Sequence, residues 1–233
     1  MTNEDKVEVT PETIKLEWHY LGELKELKSG DKSPFTFDTN GKKIKPFPGI
    51  YVWIWKGEKR NYVHYVGQAQ DIWKRLEDEV SALLGGAWMQ YKLEPNSDLY
   101  EIKKKISLGG LKTGNFYCGV RNEHYSPNRG KQDSISAMMD EKRIGWAWNM
   151  LDKMDVAVAK IEDKERRLNV EAALIHGLRK HLREKLNVTV KGLIENVFFG
   201  RVTKEPTEVF DICHAGDFKQ LPAELIEIKK CGQ

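Results

Sequence analysis

The sequence predicts a mixed α/β (α+β) fold: a small, mostly antiparallel sheet flanked by helices. Three observations carry that expectation. Residues 51–66 read as two β-branched and aromatic strands around a polar turn. Residues 154–161 (MDVAVAKI) alternate as a strand does. Residues 71–84 and 163–186 place apolar side chains at helical spacing, each run opening on an aspartate suited to cap it.

A chain of 233 residues holds one domain with embellishments or two small ones. Hydrophobic residues at 40% and charged residues at 31% fit a soluble globular protein. A formal charge of +3 permits a polyanionic partner without requiring one. The cysteines, Cys118, Cys213 and Cys231, are odd in number and widely spaced, with no Cys-x-x-Cys pair. Neither a zinc site nor a disulfide framework is expected, and the expected compartment is the reducing cytoplasm. The first residues lack the apolar segment of a secretory signal. No apolar run approaches the ~18 residues of a membrane span, so no membrane partner is expected.

In chain order, residues 7–20 suggest a short strand or helix. The stretch SGDKSPFTFDTNGKKIKPFPG then reads as loop or hairpin, with Asn40-Gly41 as a tight turn. In the strand at 51–55, Tyr51, Trp53 and Trp55 share one face and Ile50, Val52 and Ile54 the other. Residues 56–61 turn and 62–66 return. After Gly67, Asp71 is a candidate N-cap for a helix to Leu84 striped by Ile72, Leu76, Val80 and Leu83. Between residues 85 and 152, Gly85-Gly86 and Gly109-Gly110 read as breaks. Residues 98–106 suggest a basic helix, 115–121 a short strand and 121–131 a polar loop. The helix after Asp163 carries the stripe Leu168, Leu174, Ile175, Leu178, Leu182 and Leu186, with Arg166, Asn169, Lys180 and Glu184 on its other side. Beyond it the patterns VTV and NVFFG precede a polar tail. Glu171 falls within the apolar stripe. A carboxylate there is costly unless paired or bound to a cation. The pattern leaves a buried Glu–Arg pair and a metal or catalytic role both open.

One constellation goes further: Gly49-Ile50-Tyr51, then Tyr65-Val66-Gly67, then Arg75 ten residues after Tyr65, then Glu171 on a later helix. This resembles the GIY-YIG nuclease family, over residues 48–84 and 153–190. The resemblance implies a nuclease core at 48–190, interrupted by an insertion at 85–152, with extensions at 1–47 and 191–233. It implies that Tyr51 and Tyr65 help to activate the attacking water, that Arg75 binds the scissile phosphate, and that Glu171 holds Mg²⁺ (or Mn²⁺). Asn187, sixteen residues after Glu171, matches an asparagine that members often carry there. A phenol near pKa 10 is a poor base unless neighbouring cations lower that value or it relays a proton through water. The chain departs from the family four residues after Arg75, where Glu79 stands in place of a histidine or tyrosine. Glu79 shares the face of Arg75 and is placed to neutralise it. His64 is expected on the opposite sheet face.

The expected function is therefore a Mg²⁺-dependent DNA endonuclease of restriction type, or a related phage or mobile-element nuclease. Symmetric cutting of both strands would imply a homodimer. The insertion offers Lys103, Lys104, Lys105, Lys112, Lys142 and Arg143, interleaved with Trp88, Tyr117, His124 and Tyr125. Its polar loop, with Arg121, Asn122, Asn128, Arg129, Lys131 and Gln132, is the expected DNA-reading surface. A catalytically silent nucleic-acid-binding or regulatory protein on the same scaffold is the alternative from another class. An unrelated α/β protein with chance tripeptides is a third reading, and it requires that Tyr51, Arg75 and Glu171 do not converge.

Overall fold

The computed structural model describes residues 11–23, 47–85, 90–91, 98–107, 116–117, 141–186, 199–200 and 210–231. The fold is mixed α/β. Its strands are β1 (Glu12–Glu23), β2 (Gly49–Lys56), β3 (Asn61–Ala69), β4 (Gln90–Tyr91), β5 (Phe116–Tyr117), β6 (Met154–Lys160), β7 (Phe210–Gly216) and β8 (Lys230–Cys231). Its helices are α1 (Ile72–Leu84), α2 (Leu99–Ser107), α3 (Glu141–Asp152), α4 (Lys164–Leu186) and α5 (Ala223–Ile226). Among the described residues, six strands form one sheet in the order β3-β2-β6-β1-β7-β8, and β4 and β5 pair separately. The large sheet is antiparallel except at β1 and β7, which run parallel.

The expected hairpin forms as β2 and β3, and the expected strand at 154–161 becomes β6, the neighbour of β2. β2 is buried from Gly49 through Trp55, because both of its faces are covered. The first extension contributes more than a short element. β1 is a long strand whose Ile14, Leu16 and Trp18 alternate inward. A bulge between Tyr20 and Gly22 lets Leu21 turn inward as well. Gly22 takes a φ of 83° there, a conformation that glycine adopts at little steric cost.

The polar tail beyond residue 200 holds structure that its composition hid. β7 pairs with β1 from Glu12 opposite Phe210 to Trp18 opposite Gly216, and β8 adds to β7. The Trp18 indole, fully buried, donates to His214 Nδ1 at 3.0 Å. That bond requires an unprotonated Nδ1, so the ring proton sits on Nε2, which donates to the Ile228 carbonyl at 3.1 Å. His214 is thereby held neutral, and burial lowers its pKa from the usual value.

The helices α1, α2 and α4 start where aspartates cap them. Asp71 accepts from Lys74 N at 3.0 Å, Asp98 from Tyr100 N at 2.8 Å, and Asp163 from Arg166 N at 2.7 Å. In α4 the buried face is broader than the leucine stripe. Arg167 and Asn169 are buried while Leu168 is only half-buried, and the C-terminal segment covers a further side of the helix. There Ile228 packs so closely on Gly177 that a Cβ would meet its side chain at 2.8 Å. Both α2 and α3, from the expected insertion, pack on the core. Ala147, Met150 and Leu151 of α3 are buried, and Arg143 donates to the Leu84 carbonyl closing α1 at 3.1 Å.

At the β3 edge a second bulge opens, since Trp53 pairs with Tyr65 while Ile54 pairs with Val63. His64 is the extra residue. Contrary to the expectation from simple alternation, its ring lies beside Trp53 and Trp55, with centroids 6.2 and 6.3 Å away. Two buried charged side chains satisfy the bulged backbone. Glu224 accepts from Val63 N at 3.1 Å, and Lys103 donates to the His64 carbonyl at 2.7 Å. Covering polar groups this way blunts an edge strand against further pairing.

His214 gives this architecture a pH signature. Its folded pKa lies below the unfolded value of about 6.5, so its contribution is complete above that pH and fades as pH falls through it. Denaturant unfolding of wild type and His214→Gln between pH 7.5 and pH 5 is the measurement. The wild type is expected to lose stability relative to the variant as the pH falls below about 6.5.

Candidate active site

Residues from β2, β3, α1 and α4 meet at one place. Tyr51 of β2 reaches across β3 because Gly67 has no side chain. A Cβ at Gly67 would lie 2.4 Å from both Cζ and the hydroxyl of Tyr51. The hydroxyl so placed donates to Glu79 Oε1 of α1 at 2.6 Å. Arg75, one turn earlier on α1, closes a triangle. Its Nε donates to the Tyr51 oxygen at 3.2 Å, and its Nη2 pairs with Glu79 Oε1 at 2.9 Å. Tyr65 of β3 stands beside Tyr51, ring centroids 6.0 Å apart, and is hydrogen-bonded to it.

Glu171 of α4 joins from the other side. It accepts a hydrogen bond from the Gln68 backbone, and its charge is felt by Tyr65. Arg75 and Glu79 in turn act on Glu171. Tyr51, Tyr65, Arg75 and Glu171 are thus brought together, with Glu79 at the centre. This convergence removes the condition that the chance-tripeptide reading requires. Asn187 lies outside the described residues, as do Arg121, Asn122, Asn128, Arg129 and Lys131.

Burial sets the electrostatics. It pushes the carboxyls of Glu79 and Glu171 each up to about 7, and the nearby guanidinium and hydrogen bonds only partly offset it. It also raises the Tyr51 and Tyr65 phenols above 10. The Arg75 guanidinium pulls both phenols the other way without reversing that rise. Desolvation outweighs the single guanidinium, and both phenols keep their protons. Arg75 stays charged, and with 38% of its side chain exposed it can still meet an anion. His64 is half-buried, and desolvation with the nearby Lys103 holds its imidazole well below the usual value.

A buried arginine holds the frame of this site. Arg167 donates to the carbonyls of Ile161 and Glu162 at 3.0 and 2.6 Å, tying the start of α4 to the end of β6. It also donates to the Gln70 side chain at 2.8 Å and to that of Gln68 at 3.4 Å, next to the Gln68 backbone that meets Glu171. On the opposite flank, Arg179 donates to the Gly200 carbonyl at 2.9 Å, and Gly200 lies against the Tyr65 ring. Sequence reasoning missed both arginines. Arg167 adjoins Leu168 on a charged run, KERR, that reads as a solvated face; its only signal was its place one turn before Glu171.

Among the described residues, no three His, Cys, Asp or Glu side chains gather to hold a metal ion. A magnesium ion does not need such a cage, since one or two carboxylates with water and substrate oxygens complete its shell. Glu171 fits that requirement. It is a half-buried carboxylate that accepts from the Gln68 backbone N–H, at a pKa where a cation competes readily with a proton.

No protein-family model matches the chain, and neither a curated protein nor a solved structure matches it.

Two variants test this arrangement. Gly67→Ala forces the Tyr51 ring out of place, at a cost of about 1–3 kcal/mol by denaturant unfolding; an unchanged midpoint would contradict the close approach. Glu171 is raised in the folded state, so its contribution is complete at low pH and is lost as pH rises through about 7. Between pH 5 and pH 8 without divalent cation, wild type is expected to lose on the order of 1–3 kcal/mol relative to Glu171→Gln.

Proposed function

We propose that this chain is a Mg²⁺- (or Mn²⁺-) dependent DNA endonuclease that hydrolyses phosphodiesters at chosen sequences, as restriction enzymes do. The observation that carries the reading is the meeting of two tyrosines, an arginine and a half-buried carboxylate from four separate elements. Such a set serves phosphodiester hydrolysis. Arg75 would fork onto the scissile phosphate and offset the charge that grows on it. Tyr65, half-buried and backed by Gly200, would orient a water towards phosphorus. Glu171 would hold the divalent cation, whose chemistry is to polarise the phosphate and favour the leaving oxygen. The polar loop around Arg121 and Arg129 would contact DNA, and symmetric double-strand cutting would need a homodimer. Work in the cytoplasm on DNA is consistent with the finding that no helix among the described residues is long and apolar enough to cross a membrane.

The Arg75–Glu79 pair favours a second reading, a catalytically silent DNA-binding protein, because it occupies part of the guanidinium. Magnesium decides between them. Purified chain incubated with plasmid and phage DNA, with Mg²⁺ or EDTA, is expected to give discrete fragments only with Mg²⁺. A gel shift with no cleavage under any metal would overturn the nuclease reading. Glu171→Ala is expected to abolish cleavage while retaining the gel shift, and Mg²⁺-dependent cutting by that variant would sink its assignment as metal ligand.

A further inference from the structure

Arg75 is held by one edge of its guanidinium. Its Nε donates to the Tyr51 oxygen at 3.2 Å, and its Nη2 pairs with Glu79 Oε1 at 2.9 Å. The Tyr51 hydroxyl closes the ring by donating to the same Oε1 at 2.6 Å. In a guanidinium, the Nε–H and the inner N–H of Nη2 point the same way and make the side edge of the plane. Tyr51 and Glu79 fill that edge. The outer edge, made by Nη1 and the second N–H of Nη2, carries neither bond, and Arg75 makes no other bond among the described residues. The two anchors are far more confined than the arginine. Tyr51 is fully buried and Glu79 has 4% of its side chain exposed, against 38% for Arg75. Tyr51 cannot swing aside, because its ring fills the place of a side chain at Gly67. A long arginine at a surface samples many rotamers. Two buried groups that grip one edge set the plane of the guanidinium as well as its position.

We propose that Glu79 is a positioning residue: with Tyr51 it fixes Arg75 so that the outer edge, Nη1 and Nη2, meets two oxygens of the scissile phosphate end-on. The proposal rests on the nuclease reading above. A carboxylate beside an arginine commonly reads as its neutraliser. Gripping the side edge, Glu79 instead leaves the outer fork to the phosphate. A fork aligned in advance loses little freedom when the phosphate arrives, and it is in place for the charge that grows on the phosphate oxygens. Glu79 touches no part of the DNA in this role and acts through Arg75. The contact that partly occupies the guanidinium is then what aims it.

Two substitutions separate shape from charge. Glu79→Gln keeps an acceptor oxygen at the same reach without the charge. Glu79→Asp keeps the charge and withdraws it by one methylene from Tyr51 and Arg75. The measurement is single-turnover plasmid cleavage at saturating DNA and Mg²⁺, with a gel shift to read affinity. Glu79→Asp is expected to lose on the order of 10²-fold in rate, as for a catalytic group displaced by about an ångström, with DNA affinity held within a few-fold. Glu79→Gln is expected to cut at least about tenfold faster than Glu79→Asp. Added to Arg75→Ala, Glu79→Asp is expected to cost little further, because its effect passes through the guanidinium. A Gln variant as slow as the Asp variant overturns the positioning role. So does an Asp variant as fast as wild type, or losses that multiply in the double variant. Each of these leaves nuclease activity standing. Should Glu79→Asp not fold, Glu79→Gln decides alone, and a rate as low as that of Arg75→Ala overturns the role. A wild type that binds DNA and never cuts it overturns the nuclease reading and this role together.

Discussion

The site depends on one close approach: the Tyr51 ring lies where the Gly67 side chain would be. Everything polar nearby is arranged around the hydroxyl that this approach delivers. A buried phenol needs a partner, and Glu79 supplies it; a buried carboxylate needs a cation, and Arg75 supplies that. Each desolvation is offset by the next group in the chain, until the series ends at a partly exposed guanidinium. Such a network stays rigid only while complete, since a missing member leaves a neighbour unpaired in a low-dielectric setting.

The surrounding frame repeats the same logic at larger scale. β2 is buried on both faces between β3 and β6, so its tyrosine has no freedom to swing away. The β3 edge is sealed by Glu224 and Lys103, side chains that a reading by charge would place in water. Arg167 ties the β6–α4 junction to Gln68 and Gln70, and Gln68 in turn meets Glu171. The carboxylate position is therefore set by two strands and a helix rather than by one loop.

Much of this was legible in the sequence because the signals were local. The hairpin, its polar turn, and the capping aspartates Asp71 and Asp163 depend on near neighbours, and the structure has them where the pattern put them. The convergence of Tyr51, Arg75 and Glu171 was legible only through the family resemblance, which has no support from the comparisons. What escaped was non-local. The bulge at His64 breaks the alternation that placed its ring on the wrong face. The strand at 210–216 reads as polar because half of its residues face outward and its partner is some two hundred residues upstream. Arg167 and Lys103 are buried by contacts that no window of sequence contains.

The parallel pairing of β1 with β7 joins residue 12 to residue 210, so the two ends of the described chain are neighbours in the sheet. Such a contact has a large loop-closure cost and forms late relative to a hairpin. During synthesis β1 emerges first yet has neither of its partners until β6 and then β7 have been made. The tyrosine-bearing hairpin and its helix are contiguous and can assemble early, but α4, which brings the carboxylate, follows about a hundred residues later. A nascent chain would therefore hold an incomplete centre until α4 has been made.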